Sequence, residues 1–120
     1  HSELPTYLEA ANVYVSPSLS DGTSVSLIEA MAMELPVVVT HVDGNLEWVT
    51  DGQNGRVVQG RDSAALAAAI TGMLSAPDTW TTIGSRNRNA VEEKASFTAG
   101  IRRLEAIYTS HVFQQPRRIR

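Results

Sequence analysis

Cysteine is absent from the 120-residue chain. Disulfides, thiol catalysis and cysteine-based zinc sites are therefore excluded within it, and a reducing, cytoplasmic setting is the natural expectation. A basic excess is also missing. Ten Lys and Arg stand against 13 Asp and Glu, a formal net charge of −3, which argues against nucleic acid as a partner. No apolar run approaches the roughly 20 residues that a bilayer-spanning helix needs. The opening "HSELPTYLEAAN" has no signal-peptide pattern, no initiator Met and no strand ahead of its first helix. No internal repeat, low-complexity tract or linker divides the chain.

What is present is ordinary for one globular domain: 42% hydrophobic and 19% charged residues. Leu4, Tyr7, Leu8 and Ala11 recur at helical spacing and predict a short amphipathic helix. "VYVSPS" predicts a strand at 13–17, stopped by Pro17 and the serines. A loop over 18–25 then feeds a helix at 26–34, closed by Pro36. "VVVT" is an unalternated β-branched run of the kind buried on both faces of a sheet. A Gly-containing turn region follows, with room for one short helical turn, and "RVVQ" at 56–59 is the third strand. Asp62 is a good N-cap for the Ala-rich "SAALAAAITGMLS". Past Pro77, "DTWTTIGSRNRNAVEEKA" and "SFTAGIRRLEAIYTSH" predict two more helices.

Short buried strands alternating with helices predict an α/β fold with a parallel, doubly wound, Rossmann-like sheet. Three strands are few for such a sheet, whose six-stranded form is built from two three-stranded halves. The chain reads as the second half, three strands with flanking helices, with "VVVT" central and "VYVSPS" an exposed edge. Residues 1–112 form this partial domain, and 113–120 is expected to be a disordered basic tail.

The stretch "DGTSVSLIEAMAMELPVVVT", residues 21–40, carries the chemistry. Its loop leaves the carboxyl end of the first strand, where doubly wound folds bind ligands. It feeds a helix N-terminus, whose free N–H groups and partial positive charge attract phosphates. Gly22 permits close backbone approach, and the hydroxyls of Thr23, Ser24 and Ser26 can hydrogen-bond. On a helical wheel Leu27, Ile28, Met31, Ala32 and Leu35 share one face, with Glu29 outside it near Ala30 and Met33. A carboxylate offers acceptors only, which suits the two donors of a vicinal diol on a ribose or hexose. The alternative is plain structure. "SLIE" matches a capping box with Ser26 as the cap, and Asp21-Gly22 is a turn signal.

"PSLSDGTSVSLIEAMAMELPVVVT", followed by "GNLEWVTDGQNG", resembles the C-terminal domain of retaining GT-B glycosyltransferases, the group 1 or family 4 set. The ordered series runs from an acidic loop through an EAMA helix and a PVV strand to a Gly-Asn-x-Glu turn, a DGxNG turn and an Asp-capped Ala-rich helix. It spans 1–111, nearly the whole chain. The resemblance implies that Glu29 binds the ribose hydroxyls of a nucleotide. It implies that Asp21 contacts the transferred sugar near its anomeric centre, as the catalytic acid of this segment. It implies that Gly22, Thr23, Ser24 and Val25 meet sugar hydroxyls and diphosphate through their backbone N–H groups. Four positions depart from the usual pattern: Asp21 is commonly Glu, Thr23-Ser24 is commonly Phe-Gly, and Ser26 is often Pro.

The implied reaction moves a hexose from a nucleotide-diphosphate sugar to a glycan or lipid acceptor, with retention at the anomeric carbon and with no metal or other cofactor. In the family, three more strands, a basic pair that clamps the phosphates and the acceptor-binding domain all lie ahead of the position of His1. This chain is then the donor-binding piece. A non-catalytic nucleotide-sugar-binding or interaction module with the same fold is the alternative.

Other residues carry weaker signals. Glu47, with Asn45, reads as a helix-start acid. His41 follows "VVVT" at a carboxyl strand end but has no neighbouring histidine to complete a metal site. Trp48 and Trp80 are expected to pack. Arg102, Arg103, Arg117, Arg118 and Arg120 are candidates for peripheral contact with an anionic membrane, a solvated basic end being the simpler reading.

Overall fold

The computed structural model describes residues 4–20, 22 and 24–94. Asp21, Thr23, the helix expected at 96–111, its arginines and the tail 113–120 lie outside the described residues.

The chain order is α1 (Leu4–Ala10), β1 (Tyr14–Ser16), α2 (Val25–Ala32), β2 (Val37–Thr40), α3 (Asp43–Leu46), β3 (Gly55–Val58) and α4 (Ser63–Leu74). A 3₁₀ turn over Pro77–Thr79 leads into α5, helical over 80–94. The three strands form one parallel sheet in the order β1-β2-β3. The central place of β2 follows from its sequence. Val37, Val38 and Val39 are fully buried, and a β-branched run with both faces covered suits the middle of a parallel sheet. Each such valine contributes roughly 1.5–3 kcal/mol of burial, an upper estimate.

The two faces of β2 carry separate cores. Val37 and Val39 meet Leu27 and Met31 of α2, together with Val49. Val38 meets Val58 and, on α4, Ala69 and Met73. Trp48 and Trp80 pack against the first and second of these cores, as expected. The Trp80 indole N–H also donates to Met73 O at 2.8 Å. Asp62 caps α4 by accepting from Ala65 N at 2.9 Å.

The structure corrects several local expectations. In α1, Leu8 is buried, but Tyr7 is 66% exposed, so the inward face is narrower than the spacing suggested. The helix α2 ends at Ala32, not 34. Met33 is its C-cap, and Glu34 turns the chain with a left-handed φ of 63°. Its buried face is Leu27, Ala30 and Met31, so Ala30 belongs to the core while Leu35 packs from beyond the helix end. Glu47 is the C-cap of α3, and the acid in the first turn is Asp43. A four-residue helix is too brief to fix from periodicity.

The helix α5 grips the α2–β2 turn. Asn87, fully buried, donates Nδ2 to Leu35 O at 2.8 Å, and Arg88 donates to Ala32 O at 3.1 Å. Gly84 packs so closely that a Cβ there would lie 2.3 Å from Glu34 O. Lys94 sits 4.2 Å from the centre of the Trp48 ring and donates to Glu47 O.

Candidate functional site

Three strands running one way bring their carboxyl ends, Ser16, Thr40 and Val58, to one rim. The loop after β1 crosses this rim before entering α2. Its anchor is Thr40, buried at the end of β2, whose hydroxyl donates to Ser18 O, with Ser16 O at 3.5 Å. Nothing in the spacing of the loop pointed to Thr40. Its signal was a polar residue closing an apolar strand, which when buried needs a partner.

The first turn of α2 is capped by Ser24, not Ser26. Ser24 Oγ accepts from Leu27 N at 3.4 Å. The residue three positions past the true cap is therefore Leu27, and the capping box that would have explained Glu29 is not formed. Glu29 lies in the second turn, half-buried, and its carboxylate has no partner among the described residues. The N–H groups of Val25 and Ser26 have no intrahelical acceptor, as at any helix start. Behind them Ser26 Oγ is 3.0 Å from Ser24 Oγ and 2.7 Å from the Tyr14 hydroxyl. Tyr14 had no role in the sequence reading; twelve residues separate it from Ser26, and only the packing of α2 on β1 joins them.

The chain at Gly22 is exposed, and among the described residues a Cβ there would meet no atom within 4 Å. Val25 is 63% exposed on the same rim. The remaining candidates, Asp21 and Thr23, belong to this loop but lie outside the described residues. His41 is exposed just past β2, its N–H bonded to Val58 O at 2.8 Å. Asn45 is buried and donates to Thr40 O at 2.9 Å, holding the turn after β2. Among the described residues no group of three or more His, Asp or Glu could hold a metal ion, and no helix is long and apolar enough to cross a membrane.

A concavity of about 320 Å³ opens at the same end of the sheet on the α4 side, lined by Leu19, Thr40, Gln59, Arg61 and Asp62 among others. No residue of α2 lines it. Arg61, at its edge, has a left-handed φ of 60°.

An acid with no partner among the described residues and a helix start stand at the carboxyl ends of parallel strands, the end at which doubly wound α/β domains bind their ligands. The family profile of the group 1 glycosyl transferases matches residues 1–76, and the chain belongs to that family. The capsular polysaccharide biosynthesis glycosyltransferase CapM of Staphylococcus aureus is 34% identical over 99 residues, 82% of this chain and 26% of that protein. Sucrose-phosphate synthase from Thermosynechococcus elongatus superposes with a TM-score of 0.75 at 34% identity, over 89% of this chain and 29% of its own. The G117R variant of S. aureus TarM, crystallised with fondaparinux, alpha-GlcNAc-glycerol and UDP, superposes with a TM-score of 0.73 at 26% identity, over 78% of this chain and 19% of its own. The chain spans about a quarter of the length of the curated relatives it matches.

Proposed function

We propose that residues 1–112 are the donor-binding part of a retaining glycosyltransferase, the parent, which transfers a hexose from a nucleotide-diphosphate sugar to a glycan or lipid acceptor. The observation that carries this reading is Glu29. It is a half-buried carboxylate with no partner among the described residues, released from capping by Ser24. With no partner among the described residues, its carboxylate offers acceptor oxygens, which suit a ligand's hydroxyls. The UDP bound in the TarM structure supports a nucleoside diphosphate as that ligand. CapM's role in capsular polysaccharide biosynthesis supports a glycan acceptor.

In this reading Glu29 accepts the ribose hydroxyls, and the Val25 and Ser26 N–H groups meet the diphosphate at the start of α2. Asp21 contacts the transferred sugar, and Gly22, Thr23, Ser24 and Val25 meet the sugar hydroxyls and the diphosphate. As the anomeric carbon parts from the diphosphate oxygen, negative charge grows on the leaving group. The helix N-terminus, oriented in advance, stabilises that charge. The new bond to the acceptor oxygen forms on the face the diphosphate leaves, with the acceptor's hydroxyl proton passing to the departing diphosphate, which is retention. The acceptor is held by other parts of the parent, and the reaction is placed in the cytoplasm or on the cytoplasmic face of a membrane.

The test is a screen of nucleotide-diphosphate sugars on the parent by mass spectrometry, with the product's anomeric configuration read by NMR. Hexose transfer from one donor with retained configuration is expected. Binding without transfer would make the protein a non-catalytic nucleotide-sugar-binding module. An inverted product would overturn the retaining assignment.

A further inference from the structure

We infer that Tyr14 and Ser26 are positioning residues that act through Ser24, turning its hydroxyl proton toward the diphosphate of the bound donor. This deepens the donor-site reading above and rests on it. Three hydroxyls stand in a row at the start of α2: Tyr14 to Ser26 at 2.7 Å and Ser26 to Ser24 at 3.0 Å. Each has one proton to give. Ser26, in the middle, donates to one neighbour and accepts from the other, so the row has two polarities.

Two features select between them. The phenol is a more acidic donor than an aliphatic alcohol, which favours Tyr14 donating to Ser26 and Ser26 donating to Ser24. Ser24 Oγ also accepts the Leu27 N–H. With both of its lone pairs occupied in this way, Ser24 can only donate further, and among the described residues its own proton is the one left over. That proton lies where the loop meets α2, beside the N–H groups of Val25 and Ser26. Donors in series polarise one another, and the positive end of α2 adds to the effect, so the leftover proton suits an anionic oxygen. The reverse polarity would spend the Ser24 proton inside the row and leave the surplus proton on Tyr14, which is half-buried against the apolar clusters that contain Met31 and Leu35. Sequence spacing gives no hint of this row, because Tyr14 reaches Ser26 only across the β1–α2 packing.

The experiment uses the parent and four variants: Tyr14→Phe, Ser26→Ala, Ser26→Thr and Ser24→Ala. UDP, ADP and GDP are titrated by calorimetry, and the best binder is compared with its own nucleoside, which lacks phosphate. Tyr14→Phe and Ser26→Ala free the Ser24 proton to turn inward, so they are expected to weaken the diphosphate by up to the worth of one hydrogen bond, about threefold to tenfold, and leave the nucleoside unchanged. Ser26→Thr, which keeps the hydroxyl, should bind like wild type. Adding Tyr14→Phe to Ser24→Ala should cost nothing further, since the row then has no end to polarise. Equal weakening of diphosphate and nucleoside would show a row that only pins α2 to β1, and would overturn the inference. So would an undiminished effect of Tyr14→Phe in the Ser24→Ala background, or wild-type affinity in both single variants. A wild-type parent that binds none of the three diphosphates fails at the earlier step, removing the donor reading and this inference together.

Discussion

At the scale of single residues, the two acids of the stretch 21–29 are assigned different work. In the proposed reading Asp21 acts on the sugar and Glu29 on the nucleotide. Asp21→Asn in the parent should therefore lower turnover chiefly through kcat, because the contact strengthens as charge develops at the anomeric carbon. It should leave binding of the bare nucleoside diphosphate unchanged. Equal weakening of bare diphosphate and full donor would merge the two roles; no effect on either would leave Asp21 a turn residue beside Gly22. A third acid, Asp51, is structural. The Val57 N–H at 2.9 Å, opposed by partial burial and aided by the Arg56 guanidinium at 3.0 Å, holds its carboxyl below the ordinary carboxylate value. A lowered folded-state pKa means the stabilisation is complete above the ordinary value and is lost as pH falls through the depressed one. Half-exposure keeps it small, at most about 1 kcal/mol. Asp51→Asn should lower Tm slightly at pH 7 and narrow the gap between melting at pH 7 and at pH 3. An unchanged gap would count against the pairing. Of these residues, Asp21 and Glu29 were singled out by residue type and place. Tyr14 and Thr40 were not, because their partners lie 12 and 22–24 residues away across packed elements.

At the scale of elements, the turn between α2 and β2 is where sequence and structure press hardest on each other. Glu34 adopts a left-handed backbone, a conformation that costs a residue with a Cβ roughly 1–2 kcal/mol. Glu34→Gly relieves this, less the greater chain entropy glycine loses on folding, so a gain of up to about 1 kcal/mol is expected. Thermal melting reads it, and a lower Tm would contradict it. Opposite the turn, Gly84 has no room for a side chain, since its Cβ would fall 2.3 Å from Glu34 O. Gly84→Ala must push α5 off the turn, at about 1–3 kcal/mol. The end of α2 was misread for a related reason. Periodicity extends through Met33 and Leu35, but the chain leaves the helix at Met33, and Leu35 reaches the same core from the turn. The alternative of a Ser26 cap arose because Ser24 and Ser26 are both serines two residues apart, and the cap is Ser24. Composition alone cannot say which oxygen meets Leu27 N.

At the scale of the molecule, the parallel order of three strands was legible because only one arrangement covers both faces of "VVVT". Helices on either side do so, and the crossovers of a parallel sheet supply them. The half-sheet has a consequence for the chain by itself. Among the described residues β1 pairs only with β2, so its other edge is open. Expressed alone, the 120-residue chain should self-associate or melt broadly. Sedimentation of a monomer with a sharp, high Tm would contradict this. The central claim concerns the parent, and one measurement bears on it most directly: calorimetric titration of wild type and Glu29→Gln with the donor and with its bare nucleoside diphosphate. Gln keeps the shape but exchanges an acceptor oxygen for a donor group. The loss of a charge-assisted hydrogen bond, about 1.5–3 kcal/mol, should weaken donor and bare diphosphate alike by roughly tenfold or more, with the melting temperature unchanged. Wild-type affinity for both ligands in Glu29→Gln, at an unchanged melting temperature, would contradict the assignment of Glu29 to the nucleotide.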